Sequence, residues 1–507
     1  MPDASIVVDR DFVLSELDRR IFGAFVEHMG RCVYGGIYEP GHPTADEQGL
    51  RGDVMALTRE LGPTIIRYPG GNFLSGYDWE DGVGPREKRP VRRDLAWSST
   101  ETNQFGTNEF IAWCRKAGVE PMLGVNLGSR GPDAARRFLE YCNHAGGSTL
   151  SDLRRAHGYT EPHGVRFWCL GNEMDGPWQI CHRTAEEYGR AALETAKVMR
   201  WTDPTIQLAA CGSSHRNMAS YGAWEYAVLD HCFDEVDFIS LHTYFRNDAD
   251  DLAEYFGVIE LMDAFIKEVV AICDAVAAKR RSPKRIMLSF DEWNVWYRTH
   301  RIEHMRKPGW PVAPRLIEEV YNVEDALIVG GALITLINNA DRVRAACLAQ
   351  LVNVIGPIMT EPGGAAWRQT IFHPFALAAR HGRGRVMQAR ITSPAYTAKA
   401  FPEIPYLAAA VVDDPADGTT AVFALNRHPT EPLDLSVELR GLGAQRHLLS
   451  AQELHHANLR AVNTKDLPHT VAPRDNPDVS VAGERISVRL KPLSWNVIVT
   501  RAGSMAG

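Results

Sequence analysis

Two glutamates occupy matching places in the chain. Glu173 follows the apolar run VRFWCL within GNEMDGPWQ (171–179), and Glu292 follows RIMLSF within DEWNVWY (291–297). Tryptophans come soon after each: Trp178 in the first case, Trp293 and Trp296 in the second. Two carboxyl groups facing each other across a sugar can cleave a glycosidic bond. One must be protonated to donate to the leaving oxygen, and the other ionised to attack or to activate water. Their surroundings must then hold the two pKa values apart. Asn172 suits a hydrogen bond to a hydroxyl beside the reacting carbon, and the indole faces suit stacking on sugar rings. A single glutamate at a strand end is usually a loop residue, a helix cap or half of an ion pair. The repetition of the setting lifts this pair above that reading. Asp291 competes with Glu292, because alternation along a strand points only one of two neighbours into a site.

Other chemistries find less support. No HExxH occurs, and HCF (231–233) and HH (455–456) lack ligand spacing, so no metal is expected. There is no G-x-S-x-G elbow, and PGGN (69–72) is neither a dinucleotide fingerprint nor a phosphate loop, so no cofactor is expected either. The nine cysteines form no CxxC pair and mostly sit in apolar runs, as reduced thiols packed like small hydrophobes do. Fifty-five basic against 63 acidic residues give a net charge of −8 with no long basic block, which leaves no nucleic-acid footprint. No apolar run approaches a membrane span, and the charged N-terminus MPDASIVVDRDFVL lacks the apolar centre of a signal peptide. A cytoplasmic location is the expectation.

The elements that must position these residues are legible as an alternation. Apolar strands are expected near 20–27, 64–70, 121–128, 165–173, 206–213, 236–244, 285–293 and 344–353. Helix signals lie between them. NEFIAWCRKAG (108–118) ends in a basic turn and glycine, and Thr184 with Glu187 has capping-box spacing. From Asp251 to about Lys279, Leu252, Tyr255, Phe256, Ile259, Met262, Ile266, Val269 and Cys273 trace one helical face. Buried-type strands joined by helices run parallel, and eight of them favour a closed (β/α)8 TIM barrel over an open sheet. The barrel is expected over 19–384. After it come short alternating strands without long helices, expected as an antiparallel, jelly-roll-like β-sandwich over 385–501. Residues 1–18 read as strand and are expected to join that sandwich.

In a barrel, reactive groups gather at the C-terminal strand ends. Those ends carry Glu27, Arg67, Asn72, Asn172, Glu173, His242, Tyr244, Asp291, Glu292 and Gln350. Arg67 reads equally as a neutraliser of buried carboxylates or as a ligand contact. His242 reads equally as a satisfied core histidine or a catalytic one.

Taken in order, FGAFVEHMGRCVYGGIYEP (22–40), RYPGGNFLSGYDW (67–79), GPREKRP (84–90), GTNEF (106–110), CLGNEMDGPWQ (169–179), LHTYF (241–245) and DEWNVWY (291–297) resemble glycoside hydrolase family 51. Its members are chiefly α-L-arabinofuranosidases. The resemblance implies an exo-acting, retaining hydrolase with Glu173 as acid/base and Glu292 as nucleophile. It puts Glu27, Asn72, Asn172, Tyr244 and Gln350 at the arabinose, with Arg67 and His242 supporting the glutamates. Trp97, Trp178 and Trp296 become walls for the leaving sugar. It further implies arabinan- or arabinoxylan-derived oligosaccharides as substrates, no cofactor, and a homo-oligomer, a hexamer by family habit. The alternatives are another retaining barrel glycosidase, such as an endo-xylanase or endo-glucanase, and a non-catalytic sugar-binding barrel. Retention requires the two carboxyl groups to lie about 5–5.5 Å apart.

Overall fold

The computed structural model describes residues 3–503. The eight apolar runs become parallel strands β1 (Gly23–Phe25), β2 (Ile65–Tyr68), β3 (Glu120–Val125), β4 (Phe167–Leu170), β5 (Gln207–Ala210), β6 (Phe238–Phe245), β7 (Met287–Val295) and β8 (Val343–Ala349). They close into a barrel when β8 pairs with β1, Cys347 opposite Gly23. Most strands are buried on both faces, which is why they read as unbroken apolar runs. β1 begins later than its run because Asp18 caps a short 3-10 turn over Arg19–Ile21.

The helices follow their signals. Thr107–Ala117 stops at Gly118 in the left-handed region, and Thr184 caps Ala185–Thr202 by accepting from the Glu187 N–H. Leu252–Arg280 starts where Asp251 accepts from the N–H groups of Ala253 and Glu254. The helix Val323–Asn338 is apolar nearly all round and buried except at its last residue. It lies between the barrel and the sandwich, so no face of it meets water. Among the described residues, no helix is long and apolar enough to cross a membrane.

The C-terminal region forms a β-sandwich. A seven-stranded sheet and a five-stranded sheet enclose a second core that includes Ile6, Val8, Val411, Val422, Leu435 and Ile498. The N-terminal run supplies one strand to each sheet. Val13–Glu16 pairs with Arg385–Met387, and Asp3–Asp9 pairs with Leu433–Arg440. The second of these pairings is parallel, a departure from the antiparallel pattern of its neighbours.

Two excursions at the barrel mouth matter for the site. After β2 the chain makes a hairpin, Arg92–Asp94 with Ser99–Glu101. After β7, segment 298–315 carries a single short helix, Ile302–Met305.

Candidate active site

At the end of β4 the chain bends sharply at Gly171 and Glu173, whose φ angles are 94° and 44°. A non-glycine residue in the left-handed region stores strain, a feature of functional sites. The turn closes when Gly176 N donates to the Glu173 carbonyl at 2.9 Å. Gly176 makes room for the indole, since a Cβ there would lie 2.6 Å from the Trp178 ring as it stands. Trp178 thereby folds back, and its Nε1 donates to Glu173 Oε2 at 2.6 Å.

Glu292 reaches inward from β7. Its Oε1 accepts from Arg67 Nη1 at 2.7 Å and its Oε2 from the Tyr244 hydroxyl at 2.9 Å. Arg67 Nη2 also donates to Asn172 Oδ1 at 2.7 Å, so one guanidinium ties together the ends of β2, β4 and β7. Asn172 Nδ2 faces Asn72 Oδ1 at 3.4 Å.

Alternation had admitted only one of Asp291 and Glu292 to the site, and the structure corrects this. The pairing register shifts near both residues, between Ser240 and His242 on one side and between Phe290 and Trp293 on the other. Both carboxylates therefore lie inside the barrel. Asp291 Oδ1 meets His242 Nε2 at 2.8 Å, and Asp291 Oδ2 accepts from Ser289 Oγ at 3.2 Å. His242 Nδ1 in turn meets Glu173 Oε1 at 3.0 Å. His242 thus bridges Asp291 and Glu173.

The electrostatics follow from these contacts. Burial disfavours the charged form of His242, but the Glu292 charge and the bonds to Asp291 and Glu173 prevail, raising its pKa to about 10. It is an imidazolium that donates from both nitrogens. Burial also pushes the Asp291 carboxyl up, yet Arg67 and His242 outweigh it and hold Asp291 below the usual range. Glu173 goes the other way. Burial, reinforced by the Glu292 charge, raises its pKa despite the His242 and Trp178 donors.

Glu27 stands at the end of β1. Its Oε1 accepts from Phe73 N at 2.9 Å and from Trp97 Nε1 at 2.8 Å, and its Oε2 from Gln350 Nε2 at 3.2 Å. Burial, joined by the Glu292 charge, pushes Glu27 up to about 8 in spite of those donors. The glycines of PGGN make room for it: a Cβ on Gly70 or Gly71 would come within 2.5 Å of the Glu27 side chain.

The three tryptophans sit differently. Trp97 is buried beside Glu27, whereas Trp178 is 43% exposed and stacks on His215 at 6.0 Å. Trp296 packs edge-on to Tyr244 at 5.3 Å and against His300 at 4.3 Å. Glu27, Arg67, Asn72, Asn172, Glu173, His242, Tyr244, Asp291, Glu292 and Gln350 gather at the C-terminal ends of the strands, whereas Trp293, expected from the sequence to offer a face to sugar, is fully buried in the core.

The structure adds neighbours that sequence reasoning missed. Asp175 accepts from Ser214 N and Oγ, tying the Trp178 turn to the loop that holds His215. His28 bonds Glu101 Oε2 at 2.8 Å and the Tyr68 hydroxyl at 2.6 Å behind Glu27. His28 lies inside the VEH motif, so its signal was present; the partners of Asp175 had none, because they join distant loops.

One nitrogen of His242 and one oxygen each of Glu173 and Glu292 lie within 4.8 Å of one another. That spacing would fit a cation, but a metal needs a free lone pair on imidazole. Both His242 nitrogens are committed to carboxylates and the ring is charged. The donor set suits proton chemistry instead.

Comparison with known proteins agrees with this geometry. Residues 57–264 match the model of the α-L-arabinofuranosidase 1 domain, and residues 291–494 that of the α-L-arabinofuranosidase C-terminal domain. The chain is 55% identical to the intracellular exo-α-(1→5)-L-arabinofuranosidase of Halalkalibacterium halodurans, with 98% of each chain covered. It is 52% identical to intracellular exo-α-(1→5)-L-arabinofuranosidase 1 of Bacillus subtilis, covering 98% of this chain and 99% of the other. A solved family 51 α-L-arabinofuranosidase from Bifidobacterium longum superposes with a TM-score of 0.94 at 44% identity, covering 98% of this chain and 99% of that one. A (β/α)8 barrel followed by a β-sandwich, with these motifs in order and relatives this similar end to end, makes the chain a member of glycoside hydrolase family 51, the α-L-arabinofuranosidases.

Proposed function

We propose that the chain is an exo-acting, retaining α-L-arabinofuranosidase with Glu173 as acid/base and Glu292 as nucleophile. The observation that carries this reading is the pair itself. Carboxyl oxygens of Glu173 and Glu292 lie within 4.8 Å, close to the roughly 5–5.5 Å of retaining enzymes and short of the spacing that admits an inverting water.

Glu292, oriented by Arg67 and Tyr244, attacks the anomeric carbon of a terminal arabinofuranosyl residue. Glu173, whose raised pKa keeps its proton, gives it to the leaving oxygen. The carboxylate so formed faces the His242 cation. Once Glu292 is esterified its charge no longer raises Glu173, so the group stays ionised and is available as the base that takes a proton from water. That water releases arabinose with its configuration retained. Glu27, Asn72, Asn172, Tyr244 and Gln350 bind the sugar hydroxyls, and Trp178 and Trp296 flank the leaving group.

The two relatives described above are named for the α-(1→5) linkage and as intracellular. We assign this chain the same class of substrate, α-(1→5)-linked arabino-oligosaccharides, and the same compartment. A homo-oligomer is part of the proposal, and light scattering of the purified chain tests it. So is the division into a catalytic unit over 19–384 and a sandwich over 385–501 joined by 1–18.

The decisive experiment is hydrolysis of an aryl α-L-arabinofuranoside beside a Glu292→Ala control. Aryl release no faster than the control would refute the reading. Defined oligosaccharides with α-(1→2), α-(1→3) and α-(1→5) linkages then test the linkage; slower turnover of the last would overturn that part.

A further inference from the structure

Behind His242 lies a carboxylate that makes and breaks no bond in either step. Asp291 is fully buried and its two oxygens face different ways. Oδ2 accepts from Ser289 Oγ at 3.2 Å, with the Cys169 thiol at 3.8 Å and Arg67 Nε at 4.0 Å. Oδ1 faces His242 Nε2 at 2.8 Å. Burial pushes the thiols of Cys169, Cys211 and Cys347 up, so they stay neutral. The cations around Asp291 are Arg67 and His242, which hold it ionised against its burial.

An ionised carboxylate only accepts, so Nε2 of His242 carries a hydrogen. Nδ1, across the ring, meets Glu173 Oε1 at 3.0 Å, with Glu292 Oε2 next at 3.6 Å. Two arrangements are open to this contact. With a lone pair on Nδ1, Glu173 would have to turn its acidic proton inward, from Oε1 onto a buried imidazole. With a second N–H on Nδ1, Oε1 accepts and the proton resides on Oε2, beside the indole of Trp178. Burial opposes a charged ring, but Glu292 near Nδ1 and Asp291 on Nε2 outweigh it and raise its pKa to about 10. Tyr244 does not compete for Glu173, because burial keeps its hydroxyl protonated and it donates to Glu292.

We propose that Asp291 is a positioning residue for the acid: acting through His242, it keeps the proton of Glu173 on Oε2, the oxygen that delivers it. The proposal rests on Glu173 being the acid/base of an arabinofuranosidase. Asp291 does for a glutamic acid what the aspartate of a catalytic triad does for a serine, fixing the hydrogens of an imidazole and steadying its charge. In the first step the Oε2 proton passes to the leaving oxygen, and the carboxylate left behind faces an N–H already in place. In the second step the same Oε2 takes a proton from water, so the group never has to turn over.

The test is Asp291→Asn. Arg67 and Ser289 draw the amide oxygen to their own side, which turns the amide N–H toward Nε2. The ring then keeps one proton, on Nδ1, and loses its charge. Glu173 no longer faces a cation, so its pKa rises and it becomes a weaker acid. We expect the basic limb of kcat/KM to move upward. Methyl α-L-arabinofuranoside, with a poor leaving group, should lose about 10²-fold in kcat/KM, and 4-nitrophenyl α-L-arabinofuranoside less than about threefold. Glu27, pushed up to about 8, titrates as well, but its bonds go to Phe73, Trp97 and Gln350, so it contributes alike to both profiles. A limb that moves downward means that Asp291 acts by its own charge. An unmoved limb, or an equal loss on both substrates, means that it only supports the fold. Each of these overturns the proposal.

Nuclear magnetic resonance of isotope-labelled histidine supplies a second measurement, with the His242 signal assigned by its loss in His242→Gln. At neutral pH the wild-type ring should be an imidazolium, and in Asp291→Asn it should lose its proton at lower pH. Should the variant fold poorly, the wild-type spectrum decides alone: a neutral His242 at neutral pH overturns the proposal. If the wild type releases no aryl group, the functional reading fails instead. The His242 signal then still judges the contact with Asp291, which is refuted if the ring titrates alike in both proteins.

Discussion

Trp178 Nε1 donates to Glu173 Oε2 at 2.6 Å, while His242 holds the other oxygen of the same carboxyl group at 3.0 Å. Both oxygens of the carboxyl group are engaged, so a leaving group that approaches from the Trp178 side must displace the indole N–H to reach its proton. The indole bond stabilises the ionised form of Glu173 and lowers its pKa. In Trp178→Phe the donor is gone and the pKa rises, so the acid form survives to higher pH. The basic limb of kcat/KM should move upward. A pH–rate profile with an unmoved basic limb contradicts this.

Glu173→Ala separates the two steps. Without a proton donor, substrates with poor leaving groups should lose about 10²–10⁴-fold in rate, and activated aryl substrates far less in the first step. Azide, which needs no general base, should then restore turnover and give an arabinosyl azide of the substrate's own α configuration. An azide product of β configuration from this variant would mean that the two glutamates have been assigned the wrong way round.

Arg67 is fully buried and serves Glu292, Asn172 and, at 4.0 Å, Asp291. Replacing it with methionine keeps most of the volume and leaves two carboxylates without their cation. Breaking a buried pair from one side costs about 3–5 kcal/mol. We expect Arg67→Met to melt well below the wild type and to lose activity together with stability. Thermal unfolding unchanged within error would show that His242 alone suffices as counter-charge.

Glu27 offers a pH test with a definite sign. Its carboxyl is pushed up to about 8 in the folded protein by burial and the Glu292 charge, against an ordinary value of 4.5. Between those two pH values the unfolded chain has released the proton and the folded one keeps it. The folded state then binds more protons, so this group makes stability fall as pH rises through that window, by ~3–5 kcal/mol at most. Glu27→Gln cannot titrate and should show a flatter dependence of unfolding free energy from pH 4.5 to 8. Parallel curves for the two proteins would count against it.

The barrel was legible because its strands are buried on both faces and its helices carry their caps, as at Thr184 and Gly118. Both features are local. The carboxylate pair was legible because strand ends and barrel geometry are linked. What stayed hidden depends on contacts between distant segments. Asp291 enters the site through register shifts that no single strand encodes. The partners of Trp97 and Asp175, Glu27 and Ser214, lie 70 and 39 residues away in sequence. Alternation misled at Asp291 because a bulge spends a residue without changing the pattern of letters.

The N-terminal strand carries a consequence in time. Asp3–Asp9 is made before any barrel strand, yet its parallel partner Leu433–Arg440 is made after all of them. At about 5–20 residues per second, synthesis of the intervening chain takes roughly 20 to 90 seconds. All eight barrel strands emerge within that interval, while Ile6 and Val8 have no sheet to enter. On the ribosome, the barrel therefore has the opportunity to close while Asp3–Asp9 is still unpaired, and strands made after the barrel retrieve it.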